Sequence, residues 1–506
     1  MIKFAAMTTR ALLLSALLAG PVLADSQPTV PPPAPAPADR FAAQREPAAR
    51  LIGNLYANGR ALPLLEELSD TVGARLTGSP GYTKGAEWVA AQLRAAGAEN
   101  VHFEPFTLEH GWQRGVAHAR MIAPVARPLH VESSGWSAAT PKGGVKAGLV
   151  ALSDPDPAAM KALIPSLKGK IVIFDRRGEP SGKGRRSPKV FIMIIAAMAS
   201  LRDAGVAGVL MPMGEENYDN TIATGAMEFG GKTTAIPIAS IGHEDGQMLL
   251  RALDHGPVTV ELELPNVISG PVHVQNVVGE LKGSERPDEW ILLGAHLDSW
   301  DFATGSQDNG AGVAQVIDAA RALAASGPHK RTIRFALWAG EEEGLNGSRA
   351  YTVAHEAELG KCVALLNTDN GAGHVKGWKV EGRKDLKKAL APFAKAILAP
   401  IGAGEVDMTL SPDTDHFPFV LAGVPALDLL VDEGNYMQVH HKSSDTVDRV
   451  EAHALESGAA VVAVTAGWLA STAEPFAPRL DHAGIEEVLK GEEGLLDFLK
   501  ARGIWK

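Results

Sequence analysis

The sequence predicts an α/β protein whose mixed, mostly parallel sheet is covered by helices on both faces, with a β-rich insertion interrupting it. Three observations carry this reading. From Trp290 onward, apolar strand-like runs alternate with helical ones. Between residues 126 and 270 the texture shifts to short β-rich runs, and at about Val274 the strand pattern that preceded them resumes. At 506 residues, with 45% hydrophobic and 21% charged residues, the chain can build two or three domains around a large core. That composition excludes a disordered or fibrous protein.

Taken in order, residues 1–24 read as a secretory signal. Lys3 and Arg10 begin it, Ala11 to Leu18 is apolar, and Val22-Leu23-Ala24 offers a small-residue cleavage site. The apolar run is shorter than the roughly 20 residues that span a bilayer. No later stretch reads as apolar and long enough to cross a membrane, so the expected product is soluble, in the periplasm or outside the cell. Residues 25–40 form a Pro/Ala-rich linker. A first catalytic part follows over 41–125, helical from Glu46 to Ala98 and then a strand from His102 to His110.

The insertion, residues 126–270, contains GLVALS, GKIVIFDRR, AGVLMPM, AIPIASI and VTVELEL, with one helix near Phe191 to Gly205. Its basic run GKGRRS, 182–187, reads as a solvated loop. The second catalytic part, 271–475, runs WILLGA, GVAQVIDAARALAAS, TIRFALWAG, SRAYTVAHEAELG and CVALLNTD in strand and helix alternation. The tail 476–506 carries Ile485, Val488, Leu489, Leu495, Phe498 and Leu499 in helical register, which suits core or dimer packing.

Cys362, the single cysteine, sits in an apolar run and reads as inert core; no disulfide can form within the chain. The formal charge of -11 argues against nucleic acid as a partner.

Chemistry concentrates in five clusters: GAHLDSWD around His296, SQDNGAG around Asp308, GEEEGLNGS around Glu341, LLNTDNG around Asp369 and VHHKSSDTVD around His441. Three of them follow apolar runs, so separate elements deliver ligands to one rim, where open α/β sheets bind theirs. Two histidines with several carboxylates suit two zinc ions sharing one ligand. In His296-Leu297-Asp298 a strand period of two puts both side chains on one face, so the Asp298 carboxylate can accept the other ring N-H of His296.

Asp308, between glycines and just before a helix, can bring one carboxylate between two cations; taken alone it also reads as a helix N-cap. Glu341, Glu342 and Glu343 crowd a strand end where cations would relieve their repulsion. Glu342 is taken as a second-metal ligand, leaving Glu341 free to accept a proton from water. Asp369 closes the first metal. His440 and His441 are neighbours, and on an extended segment their side chains point oppositely, so only one can serve. His441 is chosen, with Asp445 as its partner. His440, Asp415 and His416 are assigned to substrate binding. Gly-x-Ser-x-Gly and His-Glu-x-x-His are both absent, and Gly231-Lys232-Thr233 lacks the glycine five residues earlier that a phosphate loop needs, Ala226 standing there.

The order His-x-Asp, Asp-Asn-Gly, Glu-Glu-x-Gly-Leu, Asp, His resembles the M28 family of di-zinc peptidases. HLDSWD and AGVPALDLLVDEGNYMQVHHKSSDT look most similar to its carboxypeptidase Q branch. The resemblance covers roughly residues 45–475. It implies a zinc exopeptidase-like fold and a protease-associated domain where the insertion sits. It implies metal one on His296, Asp308 and Asp369, metal two on Asp308, Glu342 and His441, and Glu341 as general base. The expected function is an exported di-zinc metalloexopeptidase that hydrolyses short peptides, dipeptides foremost, by water activated between the two ions. An aminopeptidase acting on longer peptides, a non-catalytic binding protein and an acyl-transferring cyclase are the alternatives. A homodimer is compatible with it, and no membrane span is expected.

Overall fold

The computed structural model describes residues 40–153, 157–175, 177, 197–213, 220–228, 230–473 and 475–506. The signal and all of the linker but Arg40 lie outside them, as do the GKGRRS run and the first turns of the helix expected from Phe191. Phe41 to Lys506 forms one compact unit.

Its main sheet has eight strands in the spatial order Glu99–Leu108, Val272–Leu281, Arg331–Trp338, Arg286–His296, Cys362–Asn367, Ala426–Val431, Val375–Lys379 and Glu405–Asp407. Four of the seven pairings are parallel, and three of these join the central strands Arg331–Trp338, Arg286–His296, Cys362–Asn367 and Ala426–Val431. The central strands are buried on both faces, which is why Trp290 to Ala295 is written as an unbroken apolar run. Antiparallel pairing is confined to the flanks.

Glu99–Leu108 and Val272–Leu281 pair with each other, so the chain leaves this sheet and returns to the same edge. The residues between build a second eight-stranded sheet from strands lying between His118 and Glu263. This part holds more helix than the sequence suggested. Beside the helical residues 197–204 there are helices Pro157–Leu167 and His243–His255. The first is disguised by Pro165 near its end, and the second by a polar first turn, although Leu249 and Leu250 are buried at helical spacing.

On the main sheet, Ala311–Ala325 and Ala452–Ser471 pack together and Ala42–Asn58 lies against the latter. Ser79 caps Pro80–Ala95 by accepting from the Tyr82 N-H, and Glu451 caps Ala452–Ser471 by accepting from His453 and Ala454. The expectation that no later stretch could cross a membrane is corrected here. Ala452–Ser471 is apolar and long enough by length and composition, but 78% of its most apolar window is buried inside the protein. Its small residues let it sit in the core. In the tail, His482–Leu489 and Leu495–Ala501 place Ile485, Leu489, Leu495 and Leu499 in an apolar cluster with Trp290, Trp338 and Tyr351, so the apolar stripe is core.

Candidate metal centre

Three parallel strands end at one rim. His296 is the last residue of Arg286–His296, Glu341 follows Arg331–Trp338, and Asp369 follows Cys362–Asn367. Asp308 comes from the turn entering helix Ala311–Ala325, in extended rather than helical backbone with φ of -123° and ψ of 93°. His440 and His441 follow the short helix Tyr436–Val439.

His296 Nε2 lies 3.0 Å from Asp369 Oδ1 and 3.1 Å from Asp308 Oδ1. His441 Nε2 lies 2.9 Å from Glu342 Oε2 and 3.3 Å from Asp308 Oδ2. The donor atoms of His296, Asp308 and Glu342 lie within 4.8 Å of one another, as do those of His296, Glu341 and Asp369, and those of Asp308, His440 and His441. Asp308 therefore faces both histidine groups. All five sequence-assigned ligands, His296, Asp308, Glu342, Asp369 and His441, come together, with Glu341 among them.

The electrostatics of this cluster fit cations. Asp308, Glu341, Glu342 and Asp369 share one site, with Asp298, Glu343, Asp415 and Asp445 behind it. Burial pushes Glu342 up to about 7, Asp369 to about 6 and Asp445 to about 7, and drives Glu341 and Glu343 well above the carboxylate range. His296 shows the opposing force. Burial works to lower its pKa, but Asp369, Glu341 and Asp308 overcome that and raise it. Glu342 Oε1 is buried and accepts no hydrogen bond, while Glu342 Oε2 and Asp308 Oδ2 face imidazole nitrogens without directed hydrogen bonds. His296 Nε2 and Asp369 Oδ1 do pair, but carboxylate oxygens left unsatisfied on Asp308 and Glu342 beside imidazole nitrogens suit bound cations.

Four details differ from the sequence reading. The Asp298 carboxylate does not fix His296. The strand ends at His296, so the period of two no longer holds, and His296 Nδ1 meets the Asp298 main-chain carbonyl at 3.0 Å with the carboxylate 3.8 Å away. That carboxylate instead accepts the main-chain N-H of Glu341 and Glu342 and the Thr77 hydroxyl.

Asp445 does not support His441. It accepts the N-H of Gln307 at 2.6 Å and of Asp308 at 3.1 Å, and the His441 Nδ1 partner is the Thr224 carbonyl at 3.1 Å. His440 and His441 do not point apart, because His441 has a left-handed φ of 58° that swings the two rings into a stack at 3.7 Å, and both Nε2 atoms approach Asp308.

Asp415 and His416 are wholly buried and show no surface to a substrate. Asp415 accepts from the Ser348 hydroxyl, and His416 faces Thr414 and Glu381 in a separate polar cluster with Lys379 and Asp428.

Residues to which the sequence reading assigns no role also build the centre. Arg75, fully buried, donates to the carbonyls of Leu297, Thr304 and Gly305 and so shapes the loop between His296 and Asp308. Burial lowers its pKa to about 10. Trp300 meets the His441 ring edge-on at 5.8 Å and, with Asp308, Glu342, His441 and Lys442, lines a small cleft. An arginine between glycines and a tryptophan in a loop carry no periodic signal, so only the folded contacts reveal them.

Residues 276–466 match peptidase family M28. Carboxypeptidase Q of Rattus norvegicus is 30% identical over 86% of this chain and 91% of its own length. The solved peptidase M28 precursor from Shewanella amazonensis SB2B is 30% identical with a TM-score of 0.78, covering 87% of this chain and 99% of that one. A zinc aminopeptidase from Bacillus subtilis, 22% identical with a TM-score of 0.62, covers 83% of this chain and 97% of its own and shares the fold.

Proposed function

The chain belongs to peptidase family M28, and from that premise we propose that it is an exported, zinc-dependent exopeptidase that hydrolyses short peptides, dipeptides foremost. The observation that carries this reading is the convergence of His296, Asp308, Glu342, Asp369 and His441, with Asp308 facing both histidines. Export rests on the pattern of residues 1–24. The name of the rat relative supports the carboxypeptidase Q type of activity.

His296, Asp308 and Asp369 would hold one zinc, and Asp308, Glu342 and His441 the other. Bound there, the two ions supply Lewis-acid activation of water and of the scissile carbonyl. Glu341 is the general base. It is grouped with His296 and Asp369, at the end of the strand beside the point where the first zinc would sit. It accepts the proton of the attacking water and returns it to the leaving amine. Asp298 fixes the Glu341-Glu342 main chain, and Asp445 fixes that of Asp308.

Free dipeptides compared with the same peptides blocked at either end test the substrate class. Loss of cleavage on blocking either end is expected for a dipeptidase. Equal cleavage of carboxyl-amidated substrates would replace this reading with an aminopeptidase.

A further inference from the structure

The second sheet's part of the chain touches the second histidine of the metal centre through a short segment around Thr224. Thr224 and His441 exchange a reciprocal pair: the Thr224 N-H donates to the His441 carbonyl at 2.9 Å, and the Thr224 carbonyl meets His441 Nδ1 at 3.1 Å. Next to them, Ala223 and Lys442 form an antiparallel bridge. The segment is anchored behind as well. The Thr224 hydroxyl donates to the Ser133 carbonyl, Gly135 bridges to Ala226, and Gly225 accepts the Gly135 N-H.

A second contact reaches the other ligand loop, where the Gly230 N-H donates to the Glu343 carbonyl at 2.9 Å. A third presses on Trp300: a Cβ at Gly135 would lie 2.2 Å from its ring, so only glycine permits that approach. Trp300 in turn packs on His441.

His441 is a non-glycine residue in left-handed backbone, a conformation that persists when its surroundings hold it. The carbonyl at Nδ1 puts the proton on that nitrogen and leaves the Nε2 lone pair, on the side of Asp308 and Glu342, available to a metal ion.

We propose that segment 222–226 is a positioning element for the second metal ligand, its Thr224 main chain holding His441 in ligating orientation, so that docking of this segment and affinity for the second zinc are coupled. This rests on the reading that Asp308, Glu342 and His441 hold that zinc. Coupling is reciprocal: what strengthens the ion's hold on His441 also strengthens the segment's hold on the centre.

The test is a zinc titration of the full chain against a competing chelator, with hydrogen exchange as a second measurement. Thr224→Pro removes the N-H that binds His441, whereas Thr224→Val removes only the hydroxyl anchor. Thr224→Pro keeps the carbonyl at Nδ1 but releases the tie that holds it there, and is expected to weaken the second zinc by about 10- to 100-fold, the range for a disturbed outer-shell partner, with the first zinc unchanged and Thr224→Val close to the parent.

In the parent protein, removing zinc should speed exchange at the Thr224 and Gly230 amides while those in the buried strand Gly208–Pro212 stay protected. This decides the matter if Thr224→Pro fails to fold. A parent that takes up two ions, with exchange at Thr224 and Gly230 indifferent to zinc, overturns the coupling alone. A folded Thr224→Pro that titrates like the parent also overturns it. A parent that takes up only one ion overturns the two-zinc reading together with it.

Discussion

The carboxylate of Asp298 accepts the main-chain N-H of Glu342 at 3.2 Å, tying the loop after one strand to the loop after its parallel neighbour. The same carboxylate takes the Glu341 N-H at 3.3 Å and the Thr77 hydroxyl at 3.1 Å. Asp298 has no exposed surface, so its charge is spent on orienting others. It holds in register the two glutamates proposed as base and ligand.

Asp298→Ala should therefore strand the buried N-H of Glu342 and the part-buried N-H of Glu341 and loosen both glutamates. Leaving buried donors unsatisfied costs about 1–3 kcal/mol, so a lowered Tm is expected together with weaker zinc binding and turnover. Thermal melts and zinc titration of the purified variant check this. Zinc binding as tight as the parent's would mean that the Glu341-Glu342 loop holds itself.

Glu341→Gln and Glu342→Gln separate base from ligand. The amide at 341 cannot accept a proton, and general base catalysis contributes roughly 10²- to 10⁴-fold. Glu341→Gln is expected to keep both ions and lose kcat by that order. Glu342→Gln should weaken the second zinc, because Glu342 Oε2 sits 2.9 Å from His441 Nε2, the pair proposed to share that ion. Exchanged phenotypes would move the assignment by one residue.

The rim of the site was legible because buried parallel strands are written as continuous apolar runs, and His296, Glu341 and Asp369 stand where such runs stop. The partners of those ligands were not legible. Asp298 and Asp445 lie two and four residues from the histidines they were paired with, yet both turn to main-chain N-H groups elsewhere. Spacing along a chain stops predicting facing once the strand ends, and a single left-handed residue at His441 reverses it altogether. Thr224 is 217 residues from the ring it supports, a distance no local pattern encodes.

Metal removal should make stability fall with rising pH. In the metal-free chain burial lifts Glu342 from an ordinary 4.5 to about 7 and Asp369 from 3.8 to about 6. A carboxyl with a folded pKa above its unfolded one binds more protons in the native state, so stability drops as pH climbs between the two values. His296 and His441, raised by facing carboxylates that outweigh burial, lose their contribution in the same direction above pH 6.5. Chelator-treated protein is expected to melt at progressively lower temperature from about pH 4.5 to 7, and zinc to restore most at the upper end. A Tm that rises across this window without metal would contradict the assignment.

The two adjacent histidines give the last prediction. Both Nε2 atoms approach Asp308 Oδ2, at 3.4 Å from His440 and 3.3 Å from His441, so reach alone does not choose between them. Their other contacts do. His441 Nε2 also lies 2.9 Å from Glu342 Oε2, its Nδ1 meets the Thr224 carbonyl, and Trp300 packs against its ring. A ligand needs such an outer partner to fix its tautomer and ring orientation. The His440 ring lies 5.1 Å from that of Tyr436 and is the more exposed of the two, 32% against 22%, and no approach to Glu342 is seen for it among the described contacts. His441→Ala should therefore abolish activity and the second zinc's tight binding, whereas His440→Ala should keep both ions and change chiefly KM or kcat. Zinc titration of the two variants decides, and tight second-site binding in His441→Ala with its loss in His440→Ala would reverse the assignment.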